Sequence, residues 1–349
     1  MNEKIIINNS INKKKNFMNI GIRILRILLS FMVVLDHFYN KKKAKKIHYV
    51  LYYHIPTFFL ISFFFTYRTL ISQNIDKIKL RFERLLIPYF CWSFIAWLIK
   101  NIHYYIMKEE CAHTFKDFII NLINGHIFNV VLWFQNILIL LTLLFSIIIL
   151  LFYQKYLQIF QSLLILSYFL QYSGLNYKIF KKNFSSHSRS TFGRFFEALP
   201  NAITGFFFAY INLIEIIIIQ KKQLKIFCFS LIILILISKY EIFAELKTFK
   251  YGGIRLNIAA ICIFNIFALI PTNLYLFNLN NNIIMTLTNY TGGIYFTHYL
   301  VGKGYICGSI KYVKNGTIIG CFFIYLISYI LSFFGFKFFG KTKLRHLFI

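Results

Sequence analysis

Residues 23–40 read RILRILLSFMVVLDHFYN, an almost wholly apolar run that nonetheless carries Arg23, Arg26, Asp36 and His37. Arg26 and His37 stand 37 − 26 = 11 positions apart. On a helix that is 1100°, about 20° past three full turns, so the two share one face about 16 Å apart along the axis. Asp36 lies about 100° round from His37, and adjacency in sequence is not adjacency in space. Ionisable groups inside a membrane-length segment are costly and as a rule face a polar cavity or a partner. The competing reading places the arginines at one headgroup layer and His37 at the far interface, with side chains reaching for water. Facing a cavity, His37 has the chemistry of a base, because imidazole is neutral and proton-accepting near pH 7.

A second candidate is Arg81-Phe82-Glu83-Arg84, followed by LLIPYFCWSF. The chain holds only nine Arg against 30 Lys, so two Arg at i,i+3 on one helix face are not explained by lysine-rich composition. Arg offers a rigid fork of donors suited to phosphate, whereas Lys is a point charge. The pair stands where a span enters the membrane, a place to grip a phosphorylated donor or simply to anchor a helix end. Trp133, Glu197 and His298 are further polar or amphipathic groups that could line a channel, with Asn201 and Gln135 as possible partners for hydroxyls. The bland alternatives are an interfacial anchor for Trp133 and a hydrogen-bonded packing group for His298. Asp36 is a candidate for tuning the field around His37. The six cysteines form no C-x-x-C pair and have no nearby His at zinc spacing, which predicts neither a disulfide framework nor a metal site.

These residues are embedded in a chain that is 58% hydrophobic, 20% aromatic and only 14% charged. Soluble domains run nearer 45–50% apolar and 25% charged, so the composition is that of a membrane protein. At about 20 residues per spanning helix, the apolar content furnishes about ten spans. Spanning runs fall at 18–39, 49–70, 85–106, 131–153, 158–173, 196–219, 226–240, 254–272, 283–301 and 317–340. Backbone groups in lipid must bond within their own segment, so these runs are helices; apolar residues run continuously instead of alternating, which excludes a strand barrel. The stretches 107–117, 174–195 and 302–316 read as loops. The expected fold is all-α: a polytopic membrane protein of about ten transmembrane helices around a central polar channel. Residues 1–17 read as a basic N-terminal tail, 18–340 as one membrane domain and 341–349 as a basic C-terminal tail. The net charge of +28 sits among hydrophobic spans, not on one soluble module, which argues against nucleic acid and leaves membrane lipids as partners. Lys and Arg divide almost evenly between the two sides, so charge alone does not orient the chain.

The motifs together resemble the acyltransferase-3 family of integral-membrane O-acyltransferases. The likeness rests on Arg26 and His37 with ten residues between them, and on Arg81-x-x-Arg84 before the third span. It also rests on IPTFFLIS at 55–62, VLWFQNILIL at 131–140, ALPNAITGFFFAY at 198–210 and GGIYFTHYL at 292–300, in the family's order over roughly residues 18–340. One departure is local: the family usually follows the second-span serine with Gly, whereas Ser62 here precedes Phe63. The resemblance implies acyl transfer, usually of acetyl, from acetyl-coenzyme A (or another acyl-coenzyme A) to a sugar hydroxyl of a lipid-linked or surface glycan. It implies His37 as the catalytic histidine, Arg26 as its partner in the motif, and Arg81 and Arg84 as contacts for the coenzyme. Trp133 and His298 match family positions. The implied setting is the cell (inner) membrane with both termini cytoplasmic. A transporter or flippase for lipid-linked sugars is the alternative, since such proteins also surround a central cavity with basic groups.

Overall fold

The structure is a computed structural model and describes residues 2–39, 52–107, 114–124, 132–172, 191–213, 216–217, 220, 222–243, 254–269, 281–302 and 316–348. Among these residues there are twelve α-helices and no strand. They are α1 (Asn2–Phe38), α2 (His54–Ile71), α3 (Ile75–Met107), α4 (Phe115–Asn124), α5 (Leu132–Leu151) and α6 (Tyr156–Tyr172). The others are α7 (Thr191–Tyr210), α8 (Gln223–Phe243), α9 (Ile254–Ala268), α10 (Asn281–Asn289), α11 (Thr291–Leu300) and α12 (Ile318–Phe339). A 3-10 turn at Lys343–Phe348 follows. Four stretches of helix, His54–Ile71, Ile75–Ile102, Leu132–Leu151 and Ile318–Phe339, are long and apolar enough to cross a membrane, and two shorter ones are strongly apolar. The protein is an all-α polytopic membrane protein. The KKKAKK run at 41–46 and two of the six cysteines, Cys111 and Cys307, lie outside the described residues.

The core is built from aromatic contacts between helices. Phe59 of α2 lies 4.4 Å from Phe134 of α5, and Phe63 lies 4.6 Å from Phe145. Phe145 meets Phe160 of α6 at 4.4 Å, and Phe160 meets Phe206 of α7 at 5.0 Å. Phe63, at the position where the family usually has Gly, is thus fully buried and fills space between α2 and α5. Two glycines set the closest helix approaches. A Cβ on Gly205 would lie 2.1 Å from the Leu60 carbonyl oxygen, and one on Gly21 would lie 2.0 Å from that of Phe267. Small residues at such crossings let backbones touch, which is how helices pack where lipid removes any hydrophobic drive for association. Hydroxyls buried in these helices donate to the carbonyl one turn back: Thr57 to Tyr53, Thr142 to Leu138, Ser146 to Thr142 and Thr204 to Pro200. Phe169, Ile165, Phe229, Phe322 and Phe334 stay exposed on the outer helices, as a lipid-facing surface requires.

Four differences from the sequence reading bear on the site. The run 283–301 is two helices: the backbone breaks at Tyr290 (φ −96°, ψ 2°) just before Gly292 and Gly293, the poorest helix formers after Pro. The third helix begins at Ile75, so Arg81 and Arg84 lie inside it and do not merely flank a span. The helical stretches Phe115–Asn124 and Thr191–Tyr210 reach into segments read as loops. Residues 2–17 continue the first helix, and 343–348 fold back onto α3, where the Lys343 ammonium pairs with Glu83 at 2.8 Å and the Trp92 indole donates to the Leu347 carbonyl at 3.1 Å.

Candidate active site

His37, near the end of α1, lies against His298 of α11 with ring centroids 5.4 Å apart and planes inclined at 35°. Tyr299 closes on His37 at 6.1 Å, and Phe38 and Tyr295 flank His298 at 6.1 and 6.2 Å. His298 is fully buried. Its Nδ1 lies 3.0 Å from the Ile294 carbonyl, an acceptor only, so that nitrogen carries the proton and Nε2 keeps its lone pair. Among the described residues Nε2 has no hydrogen-bond partner. His54, buried at the start of α2, lies within electrostatic range of His298, as does His37. Three imidazoles far apart in sequence therefore gather at one end of α1, α2 and α11. Asp36, next in sequence to His37, is buried.

The other end of the same helices is cationic. Arg26 Nη2 donates to Thr291 Oγ1 at 3.3 Å, and Thr291 donates in turn to the Thr288 carbonyl at 2.9 Å, in the break between α10 and α11. Arg81 Nη2 donates to Ser62 Oγ of α2 at 2.7 Å. Its Nε, also buried, is left without a hydrogen-bond partner among the described residues. Arg26 and Arg84 lie within electrostatic range of Arg81. Arg84 itself is exposed and stands by the C-terminal turn, within range of His346. Helical rise separates the two ends by about 16 Å from Arg26 to His37, about 12 Å from Ser62 to His54 and about 10 Å from Thr291 to His298. Thr291 and His298 are seven positions apart, 20° short of two full turns, and so share a face of α11 as Arg26 and His37 share one of α1.

Trp133 and Glu197 belong to neither end. Trp133 is buried on α5, and the Arg194 guanidinium of α7 lies 4.4 Å over its ring, a cation–π contact. Arg194, Glu197, Ala198 and Asn201 form one side of a small cleft, and Trp133 with Ile55, Pro56 and Phe59 forms the other. Ile55 of the cleft follows His54 on α2, and Phe134, next to Trp133, reaches Tyr295 at 5.4 Å. Gln135 is turned away, donating to the Leu85 carbonyl at 3.0 Å.

A family model described as an acyltransferase domain matches residues 19–337, nearly the whole chain. The protein belongs to the acyltransferase-3 family. It is a membrane-embedded O-acyltransferase. No curated protein and no solved structure matches it.

Within this acyltransferase the first-span motif and the third-helix motif meet: Arg26 and Arg81 share the cationic end, and His37 occupies the opposite end with His298. Two polar groups that build the cationic end, and a third beside Trp133, escaped the sequence reading. Ser62 and Thr291 are small hydroxyl residues in apolar helices, where such residues usually bond their own backbone, and nothing local marks them as holding a guanidinium. Arg194 did leave a signal, being one of only nine Arg and placed three residues before Glu197 on one helix face.

Proposed function

We propose that the enzyme moves an acyl group, acetyl in the simplest case, from acyl-coenzyme A to a hydroxyl of a sugar in a lipid-linked or cell-surface glycan. Coenzyme A carries its phosphates at one end and its thioester at the other, with an extended pantetheine arm between. The observation that carries the reading is the matching polarity of the site, with the Arg26 and Arg81 guanidiniums at one end of shared helices and the His37–His298 pair at the other. Arg81 presents a buried fork already anchored on Ser62, with Nε unspent, which suits it to a phosphate oxygen. Arg84, exposed beside it, adds positive charge at the entrance. Arg26, fixed on Thr291, lies further in.

At the histidine end His37 acts as general base. It takes the proton of the sugar hydroxyl as that oxygen attacks the thioester carbonyl; the carbon–sulfur bond breaks, and the proton passes to the departing thiolate. His298 packs on His37 and holds its ring at the reacting end. The domain spans 18–340, with residues 1–17 and 341–349 on the cytoplasmic face of the cell membrane, where acyl-coenzyme A is supplied. The test is transfer of radiolabelled acetyl from acetyl-coenzyme A to membrane glycans by the purified protein in lipid nanodiscs. His37→Ala should lower the rate by about 10²–10⁴-fold with insertion unchanged; transfer at the wild-type rate by that variant would refute the assignment of the base.

A further inference from the structure

We infer that the C-terminal turn, Lys343–Phe348, and the adjoining part of α3 form a second phosphate site, which takes the ribose 3′-phosphate of the acyl donor; the inference rests on the reaction proposed above. The turn is anchored at both of its ends. Lys343 pairs with Glu83 at 2.8 Å, and the Leu347 carbonyl accepts from the Trp92 indole at 3.1 Å. The Leu347 side chain is buried in one cluster with Tyr89, Trp92, Leu132 and Phe296. The turn therefore runs along α3 from Glu83 to Trp92 and touches α11, the helix of Thr291 and His298. That course brings it to Arg84, which stands one helical turn along α3 from Arg81. Arg84, Lys343 and Arg345 all lie within electrostatic range of His346.

The charge gathered there is unbalanced. Three cations, Arg84, Lys343 and Arg345, surround His346 against one carboxylate, Glu83, and Lys343 already occupies it. Arg84 and Arg345 are exposed, and neither guanidinium forms a hydrogen bond or ion pair among the described residues. His346 is 5% exposed, yet its ring also forms no hydrogen bond among them. Like charges brought together repel, and an anion placed between them turns that repulsion into attraction. Two guanidinium forks with an imidazole suit a phosphate, which accepts several charge-assisted hydrogen bonds at once. Arg81, anchored on Ser62 with Nε unspent, is a separate phosphate group one turn back on the same helix. The nucleotide end of coenzyme A offers two matching groups, a diphosphate and a ribose 3′-phosphate. Arg81 suits the diphosphate, which continues into the pantetheine arm, and the outer cluster suits the 3′-phosphate. An anionic lipid headgroup has the same phosphate chemistry, but the usual headgroup diester bears one charge, whereas a phosphate monoester bears nearly two at pH 7.

Binding and kinetics test this with the full chain in nanodiscs of neutral lipid. Adenosine 3′,5′-bisphosphate, the nucleotide end without its thioester arm, should bind saturably by calorimetry and about tenfold more tightly than adenosine 5′-monophosphate, the worth of one charged hydrogen bond. In transfer assays the KM for acetyl-coenzyme A should lie about tenfold below that for acetyl-dephospho-coenzyme A, which lacks only the 3′-phosphate. Arg345→Ala removes an exposed side chain that holds nothing in the fold, and it should bring the two nucleotide affinities and the two KM values together. Arg345→Lys keeps the charge and should restore most of the difference. Equal affinities for the two nucleotides in the wild type, or a tenfold KM preference that survives Arg345→Ala, would overturn the inference. Equal affinities together with activity that requires phosphatidylglycerol in the wild type but not in Arg345→Ala would give the cluster to a lipid headgroup instead. A protein that prefers the bisphosphate, loses that preference in Arg345→Ala and transfers no acetyl would refute the proposed reaction and leave the phosphate site standing.

Discussion

The closest helix crossing in the site region gives the sharpest prediction. On Gly205 of α7 an added Cβ would lie 2.1 Å from the Leu60 carbonyl oxygen, 2.9 Å from its carbonyl carbon and 3.0 Å from its Cα. Ordinary contact begins at 3.4 Å, so Gly205→Ala requires the two helices to part locally by 3.4 − 2.1 = 1.3 Å. Every obstructing atom is backbone, and no rotamer change relieves the clash. Overpacking a core costs about 1–3 kcal/mol, and with two helices to displace the upper end applies, about 3 kcal/mol or somewhat more than a hundredfold in the folded ratio. The loss extends beyond the clash, because Phe206 beside it packs on Phe145 at 5.6 Å and on Phe160 at 5.0 Å. The same two helices carry residues of the site and of the cleft: α2 bears His54, Ile55 and Ser62, and α7 bears Arg194, Glu197 and Asn201. A thermal unfolding curve in detergent, followed by intrinsic fluorescence, should show a clearly lower midpoint for Gly205→Ala, and transfer assays should show a lower rate. A variant with the wild-type midpoint and wild-type kinetics would refute the backbone-to-backbone crossing and the placement of the cleft that depends on it.

Two further perturbations address the cationic end and the C-terminal turn. Arg81→Lys replaces a fork that can bond Ser62 and a phosphate together with a single ammonium, and should raise the KM for acetyl-coenzyme A about tenfold at unchanged acceptor KM; donor saturation curves measure it, and an unchanged donor KM would count against the coenzyme contact. His346, buried in the C-terminal turn, is held below its ordinary value of 6.5 by burial first and then by the positive charges of Arg84, Arg345 and Lys343, with Glu83 opposing. Its folded value is lower than its unfolded one, so docking of the turn is fully favoured above the unfolded value and weakens as pH falls through it towards the folded value. Trp92, bonded to the Leu347 carbonyl, reports that docking. Its fluorescence in a Trp97→Phe/Trp133→Phe background should change as pH falls below about 6.5, and His346→Gln should flatten the change; an identical pH response in that variant would remove His346 as its cause.

The helical architecture and the main members of the candidate site were legible in the sequence for a local reason. Lipid penalises unpaired backbone groups and buried charge so strongly that an apolar run must be a helix and an arginine or histidine within it must have a use. A spacing of eleven from Arg26 to His37 puts both on one face of α1, and a spacing of three from Arg81 to Arg84 puts both on one face of α3, before any tertiary contact is known. Tertiary structure alone decided which partners they meet. Thr291 holds Arg26 from 265 residues away, Ser62 holds Arg81 across a turn between helices, and His298 comes to His37 on a helix whose preceding break at Tyr290 no periodicity announces. Serine, threonine and a lone histidine in apolar helices are common and usually bond their own backbone, so their types carry no message about distant guanidiniums or imidazoles. The separation of Trp133 and Arg194 into a cleft of their own was equally invisible in sequence, because a helix periodicity fixes which residues share a face but not which helix that face will touch.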